Sequence, residues 1–444
     1  MARKIVGAIP VNDYATVHPA LDFYDGKAIL AIGGKWLVTY DNGDVDFENK
    51  PFCIISNGDK FRYSKKELAL RHLFHSGYLD IPVARWTFND IEKFDEYTTV
   101  KNFPEIYEEI YKQFQYYMDF PDKRVYSLFS CFVIYTYFYP LFNTAPILQL
   151  WGEFKTGKTK ICALLEAMIF NPINSANISS ASVFRLIESR RSSILLDESE
   201  DLISTERTKD IRNMLLAGTG KSGETFRQEK SSNDSFHTQS YKVFSPKVIA
   251  NIAGIEIPAL QSRVIRITTL GTKNKIKQNR EVSQEDKKWG AIRNNLYCLC
   301  LTQFNEVIAR RDFPPSHDFS GRTLGIWNGI FTIASLVGES IFEEMKSYAA
   351  EDKERIDSGI EEVSEEPTLL LGKLVAMVEK ESPVRVTPED LLYEFRDFDI
   401  SSKRDLALKL GRFGLHTRVL SVNGHYARYY VLVKEKITQI EGQR

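Results

Sequence analysis

Gly152-Glu153-Phe154-Lys155-Thr156-Gly157-Lys158-Thr159 has the spacing G-x-x-x-x-G-K-[ST], which is that of a phosphate loop. Its flanks agree with its letters. Pro146-Ile147-Leu148-Gln149-Leu150-Trp151 precedes it and reads as a buried strand; Lys160-Ile161-Cys162-Ala163-Leu164-Leu165-Glu166-Ala167-Met168 follows and reads as a helix. Strand, glycine-rich turn and helix are the order the chemistry requires. The glycines let backbone N–H groups converge on phosphate oxygens, and the new helix adds its unpaired N–H groups and positive dipole end. In that setting Lys158 is expected to reach the β- and γ-phosphates of a nucleotide, and the Thr159 hydroxyl to hold Mg²⁺.

Composition sets bounds around this site. The 444 residues suggest about three domains at roughly 150 residues each. A net charge of −1 excludes a generally basic nucleic-acid coat, so any nucleic-acid binding has to come from local patches. Five scattered cysteines point to a reducing, cytoplasmic compartment. Cys298 and Cys300 have no second Cys or His cluster near them and read as helix packing rather than a zinc site. No long apolar stretch follows Met1, so no secretory signal is expected. The uncharged run from Tyr126 to Phe142 is marginal as a membrane span and sits directly before the phosphate-loop strand; a core helix is the expectation.

Along the chain, residues 1–103 read as a small α+β domain. A hairpin is expected around Gly33-Gly34, a second turn at Asn57-Gly58, and a helix from Lys65 to His75 capped by Ser64. Residues 104–350 read as an α/β nucleotide-binding core: two helices to about 145, alternating strands and helices to about 270, then a helical part. Residues 351–366 form an acidic run that reads as a solvated linker, and 367–444 form a last small domain.

A phosphate loop needs a second carboxylate motif. Ser193-Ile194-Leu195-Leu196-Asp197-Glu198 supplies an apolar strand ending in two acids, with Asp197 following Lys158 by 39 residues. Asp197 would bind Mg²⁺ and Glu198 would deprotonate the attacking water. Lys247-Val248-Ile249-Ala250-Asn251 is another strand with a polar end, and parallel strands open their carboxyl ends onto one crevice, so Asn251 could sit beside Glu198. Arg263 stands just before the short strand of Val264-Ile265-Arg266-Ile267, where it could reach the γ-phosphate of a neighbouring subunit. Arg322, at the start of a helix, is a weaker candidate for phosphate contact.

This order resembles the AAA+ ATPases. Lys158-Thr159, Asp197-Glu198, Asn251 and Arg263 match in turn the family's Walker A, Walker B, sensor 1 and arginine finger, with Arg322 as sensor 2 in a helical lid. The short Walker A to Walker B spacing and the segment Leu260-Gln261-Ser262-Arg263-Val264 are similar to the MCM-like and superfamily 3 helicases of plasmids, phages and mobile elements. The resemblance covers about residues 104–436. It implies ATP and Mg²⁺ bound between subunits of a ring, expected to be a homo-hexamer.

Gly218-Thr219-Gly220-Lys221-Ser222-Gly223 mimics a second phosphate loop, but Leu215 stands where its first Gly belongs, and it follows a helical stretch instead of a strand. In the helicases just named, the interval between Walker B and sensor 1 carries a hairpin that projects into a central channel. Here the interval holds Lys221, Arg227 and Lys230 with Phe226 among them, bases for phosphates and an aromatic for stacking on single-stranded DNA.

At the end of the chain, Thr387-Pro388-Glu389-Asp390 begins a helix, a second runs from about Ser402 to Phe413, and two strands flank Asn423-Gly424. Helix, helix and two-stranded wing is the pattern of a winged helix. Residues 401–444 carry nine bases and three acids, so positive charge gathers where a duplex would be met. Lys403, Arg404, Arg418 and Arg428 are the candidates for phosphate contact.

The expected fold class is therefore α/β: a P-loop core with a helical lid, a small N-terminal α+β domain and a C-terminal winged helix. The expected function is an ATP-dependent DNA helicase or translocase. Two alternatives stay open: an ATPase that remodels protein partners, with the winged helix as docking module, and a nucleotide-switched DNA-binding protein.

Overall fold

A computed structural model describes residues 12–40, 42–81, 85–95, 97–174, 180–197, 209–230, 236–252, 257–311, 318–357, 367–396, 400, 402–411, 413–422 and 425–442. Its centre is a five-stranded, wholly parallel sheet. The strands lie in the spatial order Pro172–Asn174, Ser193–Leu196, Lys247–Asn251, Ile147–Trp151, Val264–Thr268. The phosphate-loop strand and the strand ending in Asn251 are thus neighbours, in register from Ile147↔Lys247 to Trp151↔Asn251. Parallel strands covered on both faces read as continuous apolar runs, and Ile147–Trp151 and Lys247–Asn251 are buried along their whole length.

The two faces pack differently. Leu148, Leu150, Val248, Ala250, Ile265 and Ile267 face a large helical layer. That layer holds the helix after the phosphate loop, Lys158–Met168, together with Phe103–Tyr117, Arg124–Tyr135, Lys287–Thr302, Gly321–Val337 and Glu339–Asp357. Ile147, Ile249, Val264, Ile194 and Leu196 face a smaller core with the helices Ser180–Arg190 and Lys209–Ala217. The uncharged run is the buried helix Arg124–Tyr135 and the turn after it. Among the described residues no helix is long and apolar enough to cross a membrane. The helix Phe103–Tyr117 starts on a capping box, Asn102 accepting from the Glu105 N–H while the Glu105 carboxylate accepts from the Asn102 N–H, a device that stabilises a helix end by about 1 kcal/mol.

The N-terminal part pairs differently from the expectation at Gly33-Gly34. Lys27–Ile32 joins Leu21–Tyr24 and Phe52–Ile55 in one antiparallel sheet, and Lys35–Thr39 leaves it to pair with Val45–Asn49. The two glycines are a crossing point between sheets, not a hairpin turn. A Cβ on Gly34 would lie 2.9 Å from the Trp36 ring nitrogen and 3.0 Å from the Lys50 carbonyl, so close approach explains the residue. The Asn57-Gly58 turn forms between Phe52–Ile55 and Lys60–Arg62. Ser64 caps the next helix, which ends at Ala69, because Leu73–Phe74 pairs instead with Ala15–Thr16. One face of this antiparallel N-terminal sheet, with Leu21, Leu30, Ile32 and Ile54, joins the large helical layer, and Trp86, from the segment after it, stacks on Tyr297 and donates its N–H to Asn294 Oδ1 at 2.7 Å.

Residues 367–442 build a separate core around Leu374, Leu391, Leu406, Leu410, Tyr430 and Leu432. Its helices are Pro367–Lys380, Pro388–Glu394, Lys403–Gly411 and Lys434–Gly442, and its sheet has the order Val384–Val386, His425–Leu432, Thr417–Val422. Asn423-Gly424 and 358–366 lie outside the described residues.

Candidate functional site

The phosphate loop is shaped by contacts its sequence does not advertise. Gly152 leaves the strand beneath Thr269, where a Cβ would come within 2.4 Å of both the Thr269 carbonyl and its Oγ1. Thr269 N–H in turn donates to the Trp151 carbonyl at 2.7 Å, and Thr156 Oγ1 donates to the Glu153 carbonyl at 2.9 Å. Gly157 takes φ +89, the left-handed region, immediately before the helix Lys158–Met168. No side chain caps that helix, so its first N–H groups and positive dipole end face the loop. Lys158 Nζ donates to the Gly152 and Glu153 carbonyls at 2.7 and 2.8 Å, which holds the ammonium over the loop's concave side.

A cleft of about 690 Å³ opens there, within the range of small-molecule sites. Lys155, Thr156, Gly157, Lys158 and Thr159 line its floor with Asp197, and exposed Phe154 stands at its edge. The facing wall comes from two other segments, Tyr117–Asp119 and Leu270–Gln278. Thr272 Oγ1 donates to Asp119 Oδ2 at 3.0 Å and Lys277 Nζ to the Met118 carbonyl at 2.7 Å, so the two halves of the wall are tied to each other. Lys160 Nζ ties them to the loop helix through the Lys277 and Gln278 carbonyls, at 2.8 and 3.0 Å; burial lowers its pKa from the usual lysine value. None of these wall residues carries a motif, and they come from separate segments, so the sequence offers no signal for them. The helices of 287–357 pack on the sheet and supply no part of the cleft lining.

Glu198 lies outside the described residues. Asn251 ends the strand between the phosphate loop and Asp197, one residue before Ile252, which lines the cleft. Its amide is bonded: Gln149 Nε2 donates to Asn251 Oδ1 at 3.1 Å, and Arg266 Nε donates to Gln149 Oε1 at 3.2 Å. Gln149 is fully buried and Arg266 nearly so, with the guanidinium 4.9 Å from the Trp151 ring centroid. The signal for both was a polar residue in the middle of a buried strand.

Arg263 sits at the other end of the sheet. Its carbonyl accepts from Ile147 N–H at 3.4 Å, so it stands beside the start of the phosphate-loop strand while the cleft lies at that strand's finish, about 16 Å away at the rise of five extended residues. Arg322 stands there too, donating to Ser262 Oγ at 2.6 Å. Burial and the Arg322 guanidinium lower the Arg263 pKa. Arg322 therefore joins Arg263 on one surface and does not line its own chain's cleft.

The interval 218–242 does form an antiparallel hairpin, Glu224–Lys230 with Phe236–Lys242. The false phosphate loop is the turn leading into it: Gly223 has no room for a Cβ, which would lie 2.0 Å from the Ala217 carbonyl, and a strand follows it instead of a helix. Lys221 turns inward, donating to the Pro140 carbonyl at 2.7 Å. Arg227 also turns inward, 2.9 Å from Asp210 and over the Phe184 ring. Phe226 points out, 65% exposed. Lys230 belongs to the strand, paired with Phe236.

In the C-terminal part, Lys403 is ion-paired with Glu389, and Arg418 with Glu351 of the helix Glu339–Asp357. Arg404 is exposed. Arg428 is exposed opposite Val419, beside the exposed ring of Tyr426.

No family model matches the chain, and no curated protein does. Among solved structures it is similar to the NrS-1 C-terminal region in its A form apo structure, at 14% identity and a TM-score of 0.29, over 86% of this chain and 94% of that one. It is also similar to JCV helicase, at 13% identity and a TM-score of 0.24, over 62% and 65% of the two chains. A third similar structure is Drosophila ORC bound to DNA, at 10% identity and a TM-score of 0.21, over 77% and 92%. At these TM-scores the likeness carries no part of the functional reading, which rests on the cleft and the sheet themselves.

Proposed function

We propose that the chain is an ATP-dependent DNA helicase or translocase of the AAA+ class that works as a ring. The observation that carries this reading is the placement of two sets of groups at opposite ends of one sheet. The phosphate loop and Asp197 line a cleft at one end, and Arg263 with Arg322 lies at the other. Too far from its own chain's cleft, a guanidinium so placed would serve a neighbour's nucleotide; the site would then be completed by assembly, and a closed ring, a hexamer on this reading, would satisfy every cleft.

In the cleft, Lys158 and the N–H groups of the helix Lys158–Met168 would hold the β- and γ-phosphates. The Thr159 hydroxyl and Asp197 carboxylate are hard oxygen donors that suit Mg²⁺; when bound, the ion would neutralise charge on the phosphates. Glu198 would take the proton of the attacking water and Asn251 would orient the γ-phosphate end. Arg263 of one chain would stabilise transition-state charge at its neighbour's cleft. The exposed Phe226 on the hairpin is the group to stack on single-stranded DNA. Residues 367–444 would act as a winged helix with Tyr426 and Arg428 on its wing and Arg404 on its helix. The helical layer of 286–350 would stand where a lid is expected, and 1–103 would brace it.

Strand displacement on forked DNA tests this. Wild type should unwind with ATP and Lys158→Ala should not. Unwinding by both, or by neither despite ATP turnover, would sink the helicase reading.

One observation favours a second reading, in which the ATPase remodels a protein partner: Lys221, Arg227, Lys403 and Arg418 are all bonded within the chain. ATP turnover stimulated by a protein and indifferent to DNA would select it.

A further inference from the structure

We propose that Lys247 is a positioning residue of the hairpin Glu224–Lys230 with Phe236–Lys242: its ammonium fixes both feet of the hairpin to the strand that ends at Asn251, and through this joint nucleotide in the cleft and DNA at Phe226 affect each other's binding. The inference rests on the reading of the chain as an ATP-driven DNA motor.

The argument starts from a cost. Lys247 is fully buried at the first position of the strand Lys247–Asn251, and burial pushes its ammonium down to a pKa of about 7. A buried cation is tolerated where its N–H groups find acceptors. An ammonium has three donors, and three carbonyls meet them: Gly218 at 2.7 Å, Ser245 at 2.8 Å and Val243 at 3.4 Å. Gly218 precedes the hairpin, and Val243 and Ser245 follow it. One side chain thus joins the hairpin's way in to its way out. Gly218 also closes the helix Lys209–Ala217, its N–H donating to the Met214 carbonyl at 2.8 Å, and the dipole of a helix favours a cation at that end. A Cβ on Gly218 would lie 2.2 Å from the Val243 carbonyl and 2.6 Å from Lys247 Nζ, so glycine is what lets the two feet close on the ammonium.

The joint reaches toward the cleft through two stiff elements. Lys247 pairs with Ile147, the start of the phosphate-loop strand. The hairpin's first foot is bonded to the segment entering that strand: Ala145 N–H donates to the Thr219 carbonyl at 2.8 Å, and Lys221 N–H to the Asn143 carbonyl at 2.9 Å. The feet are therefore fastened to the starts of two paired strands, one running into the phosphate loop and the other ending at Asn251. Extended strands paired along their whole length do not stretch, so a shift of the feet along them is a shift of both finishes. Further out, the hairpin is held by Arg227 on Asp210 and by the Glu188 carboxylate, which accepts from the Lys242 N–H. These contacts keep the hairpin attached when the ammonium is removed.

Lys247→Met, similar in volume and without a donor, is the decisive variant. Two quantities are read. The first is the factor by which saturating single-stranded oligothymidylate changes the Kd of a fluorescent, non-hydrolysable ATP analogue with Mg²⁺; by linkage the analogue changes DNA affinity by the same factor. The second is backbone hydrogen exchange. Wild type should show a factor of about tenfold. In Lys247→Met it should fall below about twofold, while the Kd for each ligand alone stays within about threefold of wild type. Amides of 224–230 and 236–242 should exchange at least about tenfold faster, and those of the helix Lys158–Met168 should not change. A merely structural role would weaken both single affinities and leave the factor as it was, and that result overturns the proposal. So does an unaltered factor, or unaltered exchange in the hairpin, in a folded Lys247→Met protein. Lys247→Gln, which keeps two N–H donors, is judged by the same criteria should the methionine variant fail to fold. A wild-type factor of one would remove the DNA-motor reading and this role with it, whereas a coupled wild type beside an equally coupled Lys247→Met removes only the role of Lys247.

Discussion

Arg418 Nη2 donates to Glu351 Oε1 at 2.5 Å across the boundary between residues 367–442 and the helix Glu339–Asp357. The same carboxylate accepts from Arg124 at 3.0 and 2.9 Å, and Arg124 is held in turn by Asp122. Glu351 is thus the shared acceptor of two guanidinium groups, one of them largely buried.

Glu351→Ala should lower stability by about 1–3 kcal/mol, because it takes a bonded partner from the buried Arg124. Arg418→Ala should cost less than about 1 kcal/mol, since its side chain is half exposed. Urea unfolding of the two variants checks the order. For DNA, Arg418→Ala should leave affinity within about twofold, whereas Arg428→Ala should weaken it and reduce the salt slope by about 1. Fluorescence anisotropy over a salt series measures both.

Lys158→Ala and Arg263→Ala should each abolish ATP turnover, by about 10³-fold for the arginine. Mixing the two dead proteins should restore turnover, because some interfaces then pair an intact Lys158 cleft with an intact Arg263. An ATPase assay over a range of mixing ratios should show a maximum between the pure proteins; a flat zero line would remove Arg263 from the neighbour's site.

Gly152→Ala should damage the loop more than its one carbon suggests. The new Cβ would collide with the Thr269 carbonyl and hydroxyl, displacing the strand after Arg263 or the loop itself, at a cost of about 1–3 kcal/mol. Nucleotide binding should weaken at least tenfold, as read by the fluorescent ATP analogue, with the far-ultraviolet circular dichroism preserved.

Acid should loosen the joint between the N-terminal part and the helix Ser180–Arg190. His18 Nε2 donates to the Glu188 carbonyl at 2.5 Å, and the His75 ring packs edge-on against His18. Burial and the nearby Arg191 guanidinium hold His18 well below the ordinary histidine value and His75 at about 4. Below about pH 6.5 the unfolded chain takes up protons that the folded chain refuses, so stability falls as pH drops from there toward 4, by about 1.4 kcal/mol per unit for each histidine. Urea midpoints at pH 7.5 and 5 measure the fall, and His75→Gln should flatten it. Equal midpoints at the two pH values would rule this out.

How far the sequence could be read follows from what each signal depends on. The phosphate loop, the strands at Ile147, Ser193, Lys247 and Val264, and the capped helix after Thr387 are local patterns, and local patterns survive translation into structure. The pairing at Gly33-Gly34 failed because two glycines between strands look alike whether the chain turns back or crosses to another sheet; the decision is made by Trp36 and Lys50. The cleft wall at Tyr117–Asp119 and Leu270–Gln278 was invisible for a similar reason, being assembled by tertiary contacts. Lys221 and Arg227 read as free bases because sequence shows charge and not the carbonyl or carboxylate that meets it. Gln149 and Arg266 were legible in principle, as polar residues inside apolar strands.

The separation of the two ends of the central sheet has a practical corollary. If each cleft needs the far edge of another chain, then protein concentration behaves as a cofactor. Specific activity should collapse on dilution below the dissociation constant of the assembly, and a sample assayed too dilute would pass for an inactive protein although every residue of its own cleft is in place.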